Sequence, residues 1–181
     1  AWFKSNGSGA DDINVILDRS DGSSFKDRTW WLVLDNGFGG SFSPGSVVLR
    51  GGDGSSKIID IQNSDQDYRD GEWHHVTGVV NNNTKKAKLF IDGGNGETGS
   101  FSNNIYTNAA NVEIGEQKGN GRHFSGQIDD VRIYDQELST DRVKELYGSR
   151  LTVEGLEELS KTADINLTAS NNIELDLKDD T

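Results

Sequence analysis

The sequence predicts an all-β protein in which two antiparallel sheets pack face to face, with one short helix. Three observations predict it. Apolar residues alternate with polar ones over short runs, the period of a half-buried strand. Turn signals divide those runs at short intervals: Asp21-Gly22, Asn36-Gly37, Asp53-Gly54, Asp92-Gly93-Gly94-Asn95-Gly96 and Gly119-Asn120-Gly121. The chain carries 22 Gly and 1 Pro, and glycine supplies the positive φ angles that tight turns need. At 181 residues there is room for one sandwich core and too little for two domains of usual size.

The elements follow in chain order. Ile13, Val15 and Leu17 alternate, and Trp30, Leu32 and Leu34 alternate against Trp31 and Val33. Val47 and Leu49, then Ile59 and Ile61, mark two more strands. Trp73 to Val80 and Lys88 to Asp92 flank the polar hairpin loop Asn81-Asn82-Asn83-Thr84-Lys85. Val112 to Gly115 and Ile128 to Tyr134 are the last strands of this block. A short helix is expected near 139–147: Ser139 is placed to cap it, Leu138 and Val143 to form a hydrophobic staple, and Gly148 to stop it. Val143, Leu146 and Tyr147 share one helical face. After Arg150 the texture changes, and Ile165/Leu167 and Ile173/Leu175/Leu177 read as two further strands in a tail.

Composition narrows the function. Thirty acids against 18 bases give a net charge of −12, which phosphate repels, so nucleic acid and anionic membrane are not expected partners. No apolar run approaches the roughly 18 residues of a membrane helix, and no signal peptide is visible. Cys is absent, which excludes disulfides, thiolate metal sites and cysteine nucleophiles. Met is absent too, so the chain is expected to be a segment of a longer protein.

Three segments carry a family resemblance. Ala1-Trp2-Phe3-Lys4, then Asp70-Gly71-Glu72-Trp73-His74-His75-Val76, then Gly126-Gln127-Ile128-Asp129-Asp130-Val131-Arg132-Ile133-Tyr134 with Leu138-Ser139 resemble, in order and spacing, laminin-G-like domains of the concanavalin A-type jelly-roll class. The resemblance covers residues 1–149 and implies an antiparallel two-sheet jelly roll, a binding module rather than an enzyme. Such domains usually begin with one or two strands upstream of the first motif. The tail, 150–181, is therefore expected to complete the sandwich or pack on it. Leu151 to Leu156 and Ala163 to Thr168 look like segments beside ligand-binding modules in bacterial RTX adhesins. That likeness implies an extracellular place on a bacterial surface. It also implies a monomeric module within a larger multidomain chain, with cell-surface glycans or glycoproteins as partners, fucosylated oligosaccharides among them.

Candidate site residues fall into two sets. Ca²⁺ is the expected cofactor, since hard cations take oxygen ligands. The resemblance implies Asp129 as a ligand on the closing strand. It implies Glu116 and Gln117 in a loop similar to that of pentraxins, with Asp21 or Asp27 from an early hairpin completing the site. For a glycan, Asn120, Arg122 and His123 offer the paired donors and acceptors that sugar hydroxyls need. Trp30 and Trp31 point to opposite faces of one strand, so one of them is either covered or presented on the sheet surface as a platform for a pyranose ring. Asp65-Gln66-Asp67 and Asp70-Gly71 do not make a calcium loop, because Arg69 occupies a ligand position. Glu174-Leu175-Asp176-Leu177-Lys178-Asp179 is a poor copy of a glucanase strand, which needs two acids about 5 Å apart on one face. A peptide- or protein-binding module and a structural spacer are the alternative functions.

Overall fold

The computed structural model describes residues 1–7, 13–20, 28–35, 37, 43–107, 109–117, 119 and 121–149. The chain divides into two compact units, Ala1–Tyr147 and Gly148–Thr181. Of the second, only Gly148 and Ser149 are described, so the expected tail strands lie outside the described residues.

Twelve strands and one helix are described: β1 Trp2–Lys4, β2 Ile13–Ser20, β3 Arg28–Asp35, β4 Val47–Gly52, β5 Lys57–Asn63, β6 Trp73–Asn81, β7 Lys86–Ile91, β8 Glu97–Ser100, β9 Glu113–Ile114, β10 Glu116–Gln117, β11 Arg122–His123, β12 Gln127–Asp129 and α1 Thr140–Gly148. A first sheet runs β12-β1-β6-β7-β8 and a second β5-β4-β3-β2-β9, with β10 and β11 as a separate hairpin. Every pairing is antiparallel. The core between the sheets is built from alternate residues: Phe3 of β1, Leu32 and Leu34 of β3, Val47 and Leu49 of β4, Val76 of β6, Leu89 and Ile91 of β7.

Two strands depart from a simple reading of the alternation. In β2 a bulge between Val15 and Leu17 shifts the register. Ile13 and Val15 therefore sit in a cluster with Trp31, Val33 and Val48 on the outer face of the second sheet, while Ile16 and Leu17 both join the core. The expected strand from Ile128 to Tyr134 is cut to Gln127–Asp129. Asp130 takes a positive φ of 45°, a left-handed turn that ends pleated pairing. The helix follows its sequence signals. The Ser139 hydroxyl accepts the Arg142 N–H at 3.2 Å, and Leu138 packs with Val143, Val79 and Phe90 outside the first sheet.

Gly126 opens the closing strand with a φ of +148°, and a Cβ there would lie 2.0 Å from the Lys4 carbonyl oxygen. Gly126→Ala is expected to cost about 1–3 kcal/mol through strain at a special backbone position. An unchanged melting temperature in that variant would contradict the close approach of β12 to β1.

The two adjacent histidines of β6 titrate in opposite directions. His74 lies between two carboxylates, with Nδ1 2.7 Å from Asp92 Oδ2 and Nε2 3.1 Å from Asp70 Oδ1. Burial alone would lower its pKa, but the bonds to Asp92 and Asp70 outweigh burial and hold it above the usual 6.5. Burial takes His75 down to about 4. The stability His74 contributes is fully present below pH 6.5 and is lost as pH rises through its raised value. The stability tied to neutral His75 is present above 6.5 and is lost as pH falls toward about 4. Denaturation midpoints between about pH 4 and pH 9 should therefore peak near neutrality. His74→Gln should remove the alkaline decline alone, and a wild-type profile that keeps rising with pH would contradict this assignment.

Candidate functional site

The outer face of the second sheet is where Trp31, Glu116, Gln117, Arg122 and His123 of the predicted site residues gather. Cross-strand pairing places Asp18 of β2 opposite Trp31 of β3, Trp31 opposite Arg50 of β4, and Arg50 opposite Asp60 of β5. This makes one polar row across a face that is otherwise apolar around Ile13, Val15, Val33 and Val48. The bulge in β2 is what brings Asp18 into the row, because it restores the outward direction after two inward residues.

The row is mostly buried, and its members are bonded. Asp18 is fully buried and its Oδ2 accepts the Ser20 hydroxyl at 2.5 Å. Arg50 donates from Nε to Asp60 Oδ1 at 2.8 Å, and Lys57 donates to the other oxygen of Asp60. The hairpin of β10 and β11 lies over β2 and adds Arg122. The Arg50 and Arg122 guanidinium carbons stand 5.6 Å and 5.9 Å from the Trp31 ring centroid, within the range of cation–π attraction. Arg122 Nη1 donates to Gln117 Oε1 at 2.9 Å. Gln117 is 2% exposed, and among the described residues its Nε2 has no acceptor. A buried amide donor left in this way favours a ligand or water oxygen beside it.

The structure thus brings together Trp31, Gln117 and Arg122, with Glu116 and His123 adjacent on the hairpin, where His123 Nδ1 lies 3.8 Å from Glu116 Oε2. Trp31, at 2% exposure, is covered by its two arginines and is no open stacking platform. Trp30 faces the other way and packs partly buried against the core. Asp129 lies on β12 of the first sheet, where its Oδ1 accepts the Asp130 N–H at 2.7 Å. Asp21, Asp27 and Asn120 lie outside the described residues.

The donor set tests the calcium expectation. Among the described residues no three His, Cys, Asp or Glu side chains converge as a metal site. Gln117 Oε1 is engaged by a guanidinium, whose positive charge opposes a divalent ion at the same oxygen. Gln117 therefore does not fit a cation here.

Asp18, Arg50 and Asp60 escaped the sequence reading. Arg50 stands in an otherwise apolar strand, Val47-Val48-Leu49-Arg50-Gly51, and a charge at such a position signals a partner across the sheet. Which partner depends on strand order, which local periodicity does not carry.

Solved structures with the same fold include the carbohydrate-binding module CBM40 of the Ruminococcus gnavus IT-sialidase bound to α2,3-sialyllactose. It has a TM-score of 0.63 at 21% identity, over 81% of this chain and 79% of that one. The same module bound to α2,6-sialyllactose has a TM-score of 0.62 at 20% identity, over 81% and 80%. The heptameric SAP-like pentraxin from Limulus polyphemus has a TM-score of 0.54 at 20% identity, over 81% and 66%. A search of curated protein sequences found no match to this chain. With residues 1–144 matching the family model for these jelly rolls, the chain belongs to the concanavalin A-like lectin/glucanases superfamily.

Proposed function

We infer that this chain is a non-catalytic carbohydrate-binding module that takes cell-surface glycans at the outer face of its second sheet, through Arg122, Gln117 and the row beneath them. The observation that carries this reading is the convergence of Trp31 of β3 with Gln117 and Arg122 of the β10–β11 hairpin into one cluster of planar groups. Guanidinium and amide groups match vicinal hydroxyls and carboxylates, and they hold their geometry when packed on a ring. The Ruminococcus gnavus module, bound to both sialyllactose linkages, supports a sugar ligand for a sandwich of this shape.

Acidic sialylated sugars would draw chiefly on the Arg122 guanidinium. Fucosylated sugars are neutral and would draw on amide and hydroxyl contacts, with calcium holding the loops. The calcium part rests on two separate places: Asp129 on β12, and Glu116, next to Gln117, on the β10 hairpin with Asp21 or Asp27. The setting that goes with it is an adhesin module on the outside of a bacterial cell. Among the described residues, no helix is long and apolar enough to cross a membrane.

A glycan array probed with and without EDTA tests both parts. The expected result is binding to a limited set of cell-surface oligosaccharides, weakened at least about tenfold by Arg122→Ala, or about 1.4 kcal/mol. Binding to no sugar in millimolar calcium would remove the glycan reading and favour a peptide-binding module or a spacer. Binding that survives EDTA unchanged would remove calcium and leave the glycan reading in place.

A further inference from the structure

Three chain connections meet at one end of the sandwich: residues 53–56 between β4 and β5, residues 82–85 between β6 and β7, and residues 101–106 after β8. Side chains tie them together. Asp53 Oδ1 accepts the Ser55 and Ser56 N–H groups at 2.8 and 2.7 Å, and its Oδ2 accepts a proton of Asn103 Nδ2 at 2.6 Å. Asn82 Oδ1 accepts the Ile105 N–H at 2.9 Å. Lys85 Nζ donates to the Asn82 carbonyl and to Asn104 Oδ1. The backbone adds a bond from the Tyr106 N–H to the Gly52 carbonyl at 2.8 Å and one from the Phe101 N–H to the Lys85 carbonyl at 3.0 Å. Phe101 and Ile105 are buried in the core, so the segment between them is held at both ends.

Each tie uses one end of a side-chain amide and leaves the other end open. The partners fix which end is used. A carboxylate takes the NH2 of Asn103, while an ammonium and a backbone N–H take the oxygens of Asn104 and Asn82. Asn103 Oδ1, Asn82 Nδ2 and Asn104 Nδ2 therefore have no partner among the described residues, and all three residues are exposed. Tyr106 belongs to the same cluster and is 37% exposed. Its ring rests against Gly54, where a Cβ would lie 3.0 Å from the ring edge. Its hydroxyl also has no partner among the described residues. An aromatic ring, two amide donors and one amide acceptor are thus presented on a scaffold that is already locked.

The charged groups of the cluster do not select an ion. Asp53 is taken up by three N–H donors and Lys85 by two oxygens. What stays open is neutral. Planar amides pair donors and acceptors with vicinal hydroxyls, and an exposed ring offers an apolar face to the C–H face of a pyranose. One tyrosine is too small an apolar surface for a protein-docking patch, and the other exposed large hydrophobics, Ile114, Ile133, Tyr134 and Tyr147, lie on other segments. We propose that this loop cluster is a second sugar subsite, which takes a neutral pyranose through Tyr106, Asn82, Asn103 and Asn104. It shares no residue with the Arg122 site, and it rests on the carbohydrate-binding reading only for the class of ligand. A module with two such subsites holds a branched glycan that spans both more tightly than either subsite holds one sugar.

NMR titration of the full chain tests this, with methyl β-galactoside and methyl β-glucoside as probes and methyl β-glucuronide as the charged control. At least one neutral glycoside is expected to move the Tyr106 ring and the Asn82, Asn103 and Asn104 side-chain amide signals, with a Kd on the order of millimolar. Tyr106→Ala should weaken that binding at least about tenfold, and Tyr106→Phe, which keeps the ring, by no more than about threefold. Unchanged dispersion of the four indole signals reports that each variant is folded. The proposal is overturned if these signals stay in place at about 100 mM of both neutral glycosides. It is also overturned by binding that survives Tyr106→Ala, or by a glucuronide that binds more tightly than the glucoside. The Trp31 indole and the Gln117 and Arg122 backbone amides report on the other site in the same spectra, so failure at one site is read separately from failure at the other.

Discussion

Trp31→Ala is expected to lower the stability of the sandwich by about 3–5 kcal/mol, a fall in melting temperature of roughly 10 °C or more for a domain of this size. The ring is 2% exposed and packs with Ile13, Val15, Val33 and Val48. Its loss removes apolar burial and opens a void that neighbouring strands, fixed by their ladders, fill only in part. It also leaves the Arg50 and Arg122 guanidiniums without the face they pack against. Trp31→Phe keeps an aromatic surface and should recover most of the stability while loosening Arg122. A thermal melt within about 3 °C of wild type for the alanine variant would show that the ring is not part of a packed cluster.

Asp92→Ala is expected to cost about 3 kcal/mol, because one carboxylate serves two buried partners. Its Oδ2 meets His74 Nδ1 at 2.7 Å and its Oδ1 accepts the His75 backbone N–H at 2.7 Å. The same residue turns the chain out of β7 with a φ of 48°, which Asp tolerates better than most side chains. Removing it strips His74 of its closer acceptor and leaves Asp70 alone against burial, so the His74 pKa should fall from its raised value. Urea midpoints give the stability change, and NMR titration of the imidazole gives the direction of the pKa. Asp92→Asn keeps the bond to the His75 amide and should lose less. A variant in which stability falls but the His74 titration does not move would separate the turn from the histidine clamp.

Much of the fold was legible because its signals are local. Alternation over Leu32–Leu34 and Val47–Leu49 reports a two-residue period that holds wherever a strand runs straight. Ser139, Leu138 and Val143 spell out a helix start within five positions. The failures lie where a single backbone torsion or an extra residue changes direction. The bulge after Val15 puts Leu17 on the opposite face from Val15, and the left-handed Asp130 ends β12 early although Val131-Arg132-Ile133-Tyr134 keep the strand pattern. The site was half legible for a related reason. Gln117, Arg122 and His123 share one hairpin, and a polar turn between glycines marks it. Arg50, Asp18 and Asp60 meet Trp31 only through strand order, so their adjacency is a property of the sheet and not of any window of sequence.

The four Trp side chains offer a direct reading of the central claim, since each indole N–H gives its own NMR signal. Trp31 lies beneath Arg122 on the outer face, Trp30 lines an inter-sheet cavity, and Trp2 belongs to the first sheet beside Tyr147. Titrating the labelled chain with an array-positive oligosaccharide should move the Trp31 indole together with the Gln117 and Arg122 backbone amides and leave Trp2, Trp30 and Trp73 in place. Shifts confined to Trp30 or Trp2, or a spectrum untouched by every oligosaccharide offered, would contradict a sugar site on that face.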